Sequence, residues 1–215
     1  MEKKTILFYG DSITDTRRQD HELYKLGNGY ANMVAAHLGL EYPEQYEFVN
    51  RGISGNRVVD LYARIREGFI NFAPDYASIY IGVNDVWHQV CHNKGVATEK
   101  FEMVYSLMID EIKEALPNIK LFILAPFVLE GYGTCNTEEM PNKFAEFKKG
   151  VDEKNAAAKR VAEKYGLPCI DLQAAFDEVS IKYPEQKWTE DGVHPMPCGH
   201  ELIKRLWLKA FEEIK

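Results

Sequence analysis

The chain has 215 residues, enough for one substantial core. Its 46% apolar and 27% charged content is that of an ordinary globular protein rather than a disordered, fibrous or membrane-spanning one. A formal net charge of -7 excludes the simplest electrostatic partners, nucleic acid and anionic membrane, because neither attracts an acidic surface.

Met1-Glu2-Lys3-Lys4 is charged, and the apolar run after it stops at Gly10-Asp11, too short for a signal-peptide core. No run reaches transmembrane length. Cys91, Cys135, Cys169 and Cys198 are scattered and form no C-x-x-C. Reduced thiols in a cytoplasmic protein are therefore expected.

Thr5-Ile6-Leu7-Phe8-Tyr9 is a short β-forming apolar run ended by Gly10, which predicts a buried strand. A polar loop follows to Asn28, then a helix from about Gly29 to Leu38. Tyr46-Glu47-Phe48-Val49 reads as a second strand. Val58, Leu61, Ile65 and Phe69 are spaced for the apolar face of one helix. Ala77 to Ile81 is a third strand, running into Gly82-Val83-Asn84-Asp85.

Thr98 can cap the next helix, whose apolar positions from Phe101 to Leu116 repeat at three and four until Pro117 stops it. Leu121 to Leu124 is a fourth strand. A long loop from Pro126 to Pro141 follows, of a length that is often functional. The helix after it carries Phe144, Phe147, Val151, Ala158 and Tyr165 and ends at Gly166 and Pro168. Cys169 to Leu172 is a short fifth strand, and Gly199 to Ile214 a final amphipathic helix. No linker, internal repeat or low-complexity tract interrupts the chain, so a single domain over residues 1–215 is expected. Alternating strands and helices predict an α/β fold with a parallel sheet.

In such a sheet ligands bind outside the carboxyl ends of the strands. Three strand ends carry residues suited to acyl transfer. Ser12 follows the first and offers a hydroxyl. Gly55 follows the second, where a missing side chain lets a backbone N–H approach a ligand. Asn84 follows the third and offers an amide. The N–H of Ser12, the N–H of Gly55 and the side chain of Asn84 can serve as donors to a developing oxyanion. Near the other end, in Asp191-Gly192-Val193-His194-Pro195, His194 can act as base and Asp191 can orient it. Taken alone, Ser12 reads more readily as a turn or cap residue and Gly55 and Asn84 as turn residues, and the Asp191–His194 segment reads as well as a surface turn.

Taken together, Gly10-Asp11-Ser12, Gly52-Ile53-Ser54-Gly55, Gly82-Val83-Asn84-Asp85 and Asp191-Gly192-Val193-His194-Pro195 resemble the four blocks of the SGNH or GDSL hydrolases. Ile13 stands where the commonest motif has Leu. Thr14 replaces the second glycine of a G-x-S-x-G elbow, which disfavours the α/β-hydrolase fold. The resemblance implies a flavodoxin-like three-layer α/β/α sandwich with a five-stranded sheet in the order 2-1-3-4-5. It also implies nucleophile Ser12, base His194, orienting Asp191 and an oxyanion hole of Ser12, Gly55 and Asn84, with no cofactor.

A narrower resemblance is to intracellular acetyl-xylooligosaccharide esterases. It rests on the Gly10 to Asp15 and Gly52 to Asn56 stretches, Asn84-Asp85-Val86-Trp87, Pro126-Phe127, Glu130-Gly131 and Gln173-Ala174-Ala175-Phe176. It implies a short-chain acetyl ester of a sugar as substrate, and a homo-oligomer. A lysophospholipase or thioesterase of the same family is the alternative. A catalytically silent carbohydrate-binding protein and a metal-dependent phosphoesterase stand further off.

Asp11, Trp87, His88, Phe127 and Trp188 lie beside the blocks and are candidates for substrate contact, core packing being the competing role. His88 and His92 are spaced i, i+4 but lack the glutamate of a metalloprotease motif. Asp11, Asp15, Asp20 and His21 have no metal-ligand spacing, so no metal is expected. Arg17 and Arg18 read as a solvated loop, and Cys198 as a small apolar filler.

Overall fold

The first strand, β1 (Lys4–Gly10), buries Ile6 and Phe8 on one face and Leu7 and Tyr9 on the other. A strand apolar on both faces belongs inside a parallel sheet covered on both sides. The structure, a computed structural model, describes residues 3–20 and 25–215. Of the residues considered above, Met1, Glu2 and His21 lie outside the described residues.

β1 is followed by α1 (Ser12–Asp15), α2 (Tyr30–Glu41) and β2 (Tyr46–Gly52). Next come α3 (Val58–Ala63), α4 (Ile65–Gly68), β3 (Tyr76–Tyr80), α5 (Val83–His92) and α6 (Thr98–Ala115). The chain continues through β4 (Lys120–Ala125), α7 (Lys143–Tyr165), β5 (Cys169–Asp171), α8 (Leu172–Lys182) and α9 (Pro197–Ile214). The sheet is parallel throughout, in the order β2-β1-β3-β4-β5, as the resemblance implies.

Helices α2, α8 and α9 cover one face, with Trp207 of α9 fully buried against Phe8 and Phe122. Helices α3, α4 and α6 cover the other through Leu61, Ile65, Tyr105 and Ile109. α7 crosses from one layer to the other: Phe147 and Val151 join the first cluster, Ala158 and Val161 the second. The winding reverses between β1 and β3, and in open α/β sheets the carboxyl ends of the strands at such a point are where ligands bind.

Several elements differ from the sequence reading. The Val58 to Phe69 helix is two short helices broken at Arg64. Arg64 Nε donates to Asn56 Oδ1 at 2.7 Å and Nη2 to the Gly10 carbonyl at 3.2 Å, while its guanidinium lies over the Tyr9 ring. Thr98 is the first residue of α6, not its cap, and its Oγ1 accepts from Lys154 Nζ at 2.8 Å. Helices α1 and α5 were not legible because each begins in residues that also read as turns, and α8 because its first residue, Leu172, reads as the end of the fifth strand, which stops instead at Asp171. Gly166 does end α7 in the left-handed conformation, at φ 63°.

Candidate active site

Ser12 is held by the turn that leaves β1. The Asp11 side chain caps α1 by accepting the Ile13 N–H at 3.0 Å, so the serine sits in the first turn with its hydroxyl free of the sheet. Its Oγ lies 2.8 Å from His194 Nε2. His194 Nδ1 lies 2.7 Å from Asp191 Oδ2. A carboxylate only accepts, so Nδ1 carries the proton and Nε2 is left as an acceptor for the Ser12 hydroxyl. Three residues 182 positions apart in the case of Ser12 and His194 thus form one hydrogen-bonded chain.

The Asp191 turn is itself braced. Asp191 Oδ1 accepts the N–H groups of Val193 and His194 at 3.0 and 2.8 Å. Desolvation pushes this carboxyl's pKa up, but those hydrogen bonds and the His194 ring overcome it and bring it down to about 2. In return the hydrogen bond to Asp191 raises the His194 pKa against the opposing effect of burial. The 126–141 loop lies against this turn: Gly133 N–H donates to the Asp191 carbonyl at 3.0 Å and Leu129 N–H to that of Gly192 at 2.8 Å. Added carbon at Gly131 would come within 2.4 Å of the Asp191–Gly192 peptide, so that position must be glycine for the loop to close on it.

The three expected oxyanion donors follow the three adjacent strands β1, β2 and β3. Gly55 is exposed at φ 81°, and a Cβ there would meet nothing within 4 Å. Its requirement for glycine is conformational, and its surroundings are open to a ligand. Asn84 is half-buried in the first turn of α5. It spends one amide hydrogen on the Asn56 carbonyl at 3.1 Å, leaving the other for a ligand.

The candidates for substrate contact separate. Phe127 is fully buried and stacks on Phe176 with centroids 3.9 Å apart; it is a core residue, so the expectation of contact is corrected. Asp11 is fully buried beneath Ser12 and is likewise removed from direct contact; burial pushes its carboxyl up to about 7. Trp87 is half-buried, its ring 5.2 Å from Phe147 and packed over Gly133. Trp188 is half-buried near Tyr183, with its indole N–H unpartnered. His88 Nε2 lies 3.1 Å from the Gly55 carbonyl, and since a carbonyl accepts, Nε2 donates. The His88 and His92 rings are 5.8 Å apart. Among the described residues no group of three or more His, Cys, Asp or Glu side chains is arranged to hold a metal ion.

Three further residues, unassigned or misread in the sequence, shape the site. Asn50, buried at the end of β2, donates to the Thr14 and Leu26 carbonyls at 2.6 and 2.8 Å and so fixes the loop behind Ser12. Arg18, expected in a solvated loop, is instead buried, and its Nε donates to the Gly52 carbonyl at 2.7 Å, which draws it under the site. Asp85, only 1% exposed, accepts the Val58 N–H, and burial pushes its carboxyl up to about 8. A polar residue at a strand's end was the available signal for Asn50 and Asp85; nothing in the sequence marked Arg18.

Comparison with known proteins gives the family. The model of the GDSL-like lipase/acylhydrolase family matches residues 8–202, and the chain belongs to that family. It is a carboxylic ester hydrolase. An acetylxylan esterase of Geobacillus stearothermophilus is 36% identical over 98% of this chain and 95% of its own. The crystal structure of Axe2, an acetylxylan esterase from the same organism, superposes with a TM-score of 0.79 at 34% identity, covering 98% of this chain and 96% of Axe2. LAE5, an alpha/beta hydrolase enzyme from the metagenome of Lake Arreo, gives a TM-score of 0.82 at 29% identity, covering 97% and 95%. Axe2 variants with a serine or an aspartate replaced by alanine are described as catalytic mutants.

Proposed function

We propose that the chain is a serine esterase that removes acetyl groups from sugar oligomers, xylooligosaccharides above all. Ser12 Oγ attacks the acetyl carbonyl carbon as His194 Nε2 takes its proton. The carbonyl electron pair moves onto oxygen, where the Ser12 and Gly55 N–H groups and the Asn84 amide receive it. Collapse expels the sugar oxygen, which takes the proton back from His194, and leaves an acetyl ester on Ser12. Water, deprotonated by His194, then attacks that ester and releases acetate and the free serine. Asp191 holds the imidazole in the tautomer this needs and stabilises its cationic form.

The observation that carries this reading is the hydrogen-bonded chain of 2.8 and 2.7 Å from Ser12 through His194 to Asp191. The substrate rests on the similarity to acetylxylan esterases, one structure of Axe2 being described as an acetyl-xylooligosaccharide esterase. We further propose a homo-oligomer in the cytoplasm. Ile181 and Tyr183 are 83% and 50% exposed and offer apolar surface to a second copy. No helix among the described residues is long and apolar enough to cross a membrane.

The test is acetate release from acetylated xylooligosaccharides and from a chromogenic acetate ester, each with and without a chelator. Release from both, unchanged by the chelator, supports the reading. Loss on chelation that added metal restores favours a metal-dependent phosphoesterase, and binding of the sugar without release favours a silent carbohydrate-binding protein.

A further inference from the structure

The segment from Ile53 to Arg57 has no regular secondary structure, yet it carries the Gly55 N–H. Its position is set by what ties it down, and three ties come from one helix. Asn84 Nδ2 donates to the Asn56 carbonyl at 3.1 Å. His88 Nε2 donates to the Gly55 carbonyl at 3.1 Å. Between them Asp85 accepts the Val58 N–H with both carboxylate oxygens, at 3.2 Å each, and so fixes the point where the loop becomes α3. The helix that presents one oxyanion donor therefore also grips the turn that presents another.

Asp85 is an expensive way to hold one N–H. It is 99% out of solvent, and Lys154, the nearby buried cation, gives its hydrogen bond to Thr98 Oγ1 instead of forming an ion pair with it. A buried carboxyl group without a salt bridge, its pKa pushed up by that burial, adds little to stability compared with an apolar side chain of its size. What it does supply is a short, directional link between two loops.

We propose that Asp85 is a positioning residue of the oxyanion hole: by holding the Val58 N–H it fixes the Gly55 N–H relative to the Asn84 amide. His88 supports the same placement from the other side of the turn. The inference rests on the esterase reading above. It assigns Asp85 no contact with substrate. A donor misplaced by about 1 Å can cost on the order of 100-fold in rate, so the effect belongs in kcat.

The experiment is a double-mutant cycle on a chromogenic acetate ester with Asp85→Ala, Asn84→Ala and both, plus Asp85→Asn. Asp85→Ala should lower kcat by roughly 10- to 100-fold with KM changed by less than about threefold. Asp85→Asn, which keeps an acceptor for Val58, should recover most of that loss. In the Asn84→Ala background the same Asp85→Ala change should cost clearly less than in the parent, since Asn84→Ala already removes one donor and releases the Asn56 carbonyl from α5. Equal losses in both backgrounds would mean a merely structural role and overturn the inference, as would an unchanged kcat. Should Asp85→Ala not fold, half-buried His88→Ala reads the same grip. Its kcat should fall several-fold in the parent and not in Asn84→Ala, and an unchanged kcat in the parent overturns the inference. If Asn84→Ala itself leaves kcat intact, the oxyanion hole falls first and the inference falls with it.

Discussion

His194 donates from Nδ1 to Asp191 Oδ2 across 2.7 Å within a turn of four residues, and the same carboxylate accepts the His194 backbone N–H at 2.8 Å through its other oxygen. One aspartate thus orients both the ring and the backbone of the candidate base. The hydrogen bond holds the imidazolium, so the His194 pKa stands above its ordinary value. The base works only when neutral, so kcat/KM must rise with pH through that raised value. Asp191→Asn removes the negative partner. Its kcat should fall by about 10⁴, and the midpoint of the residual pH profile should move to lower pH. An unmoved midpoint would mean that another group controls the profile.

Asn84→Ala removes one of the three proposed donors to the developing oxyanion. The expected loss is roughly 10²–10³ in kcat, about 2.7–4 kcal/mol, with KM nearly unchanged because the donor acts on the transition state. Steady-state kinetics decides it. A change confined to KM would make Asn84 a substrate-binding group.

Asp11 gives a stability prediction. Its carboxyl is fully buried and raised to about 7, against 3.8 in an exposed chain. A raised carboxyl contributes most to stability below its unfolded pKa and loses that contribution as pH climbs through the folded one. Asp11→Asn keeps the acceptor for the Ile13 N–H but cannot ionise. Thermal unfolding should therefore show the parent losing ground to the variant between roughly pH 4 and pH 8. Parallel stability curves over that range would show that burial does not perturb this group.

Trp87 sets an expectation for the acyl chain. It lies three residues beyond Asn84, and its ring is held between Phe147 and Gly133. We propose Trp87 as a wall of the acyl site; a wall fixed on both sides yields little to a longer chain, and overpacking costs roughly 1–3 kcal/mol, or about 5- to 150-fold in rate. We expect kcat/KM to fall from acetyl to butyryl to octanoyl esters of one alcohol, and Trp87→Ala to flatten that series. An open lipid groove would give the reverse order, each buried methylene adding about 0.8 kcal/mol. Faster hydrolysis of the octanoyl ester would promote the lysophospholipase or thioesterase alternative.

The sheet was legible in the sequence because its strands are short runs such as Ile6 to Tyr9 that must be apolar on both faces. Ser12, Gly55, Asn84, Asp191 and His194 were legible as a set because their residue types recur in four ordered blocks, although each alone reads as a turn. Phe127 was misread. It follows a strand directly, as Ser12 does, but its ring turns inward onto Phe176, and side-chain direction after a strand's end is not written in local pattern. Asp85 and Arg64 escaped for another reason. Their partners, Val58 in one case and Gly10 in the other, lie 27 and 54 residues away, and such pairings appear only once the loops are folded together.

The central claim is that a covalent acyl bond forms on Ser12. A serine-reactive fluorophosphonate tests it most directly, with residual activity and the mass of each proteolytic peptide followed together. The account predicts one adduct per chain, on Ser12, accumulating in step with the loss of activity, with no adduct in Ser12→Ala and only slow labelling in His194→Ala. Inactivation with the adduct on another residue, such as Cys198, or full activity in a chain modified at Ser12, would contradict it.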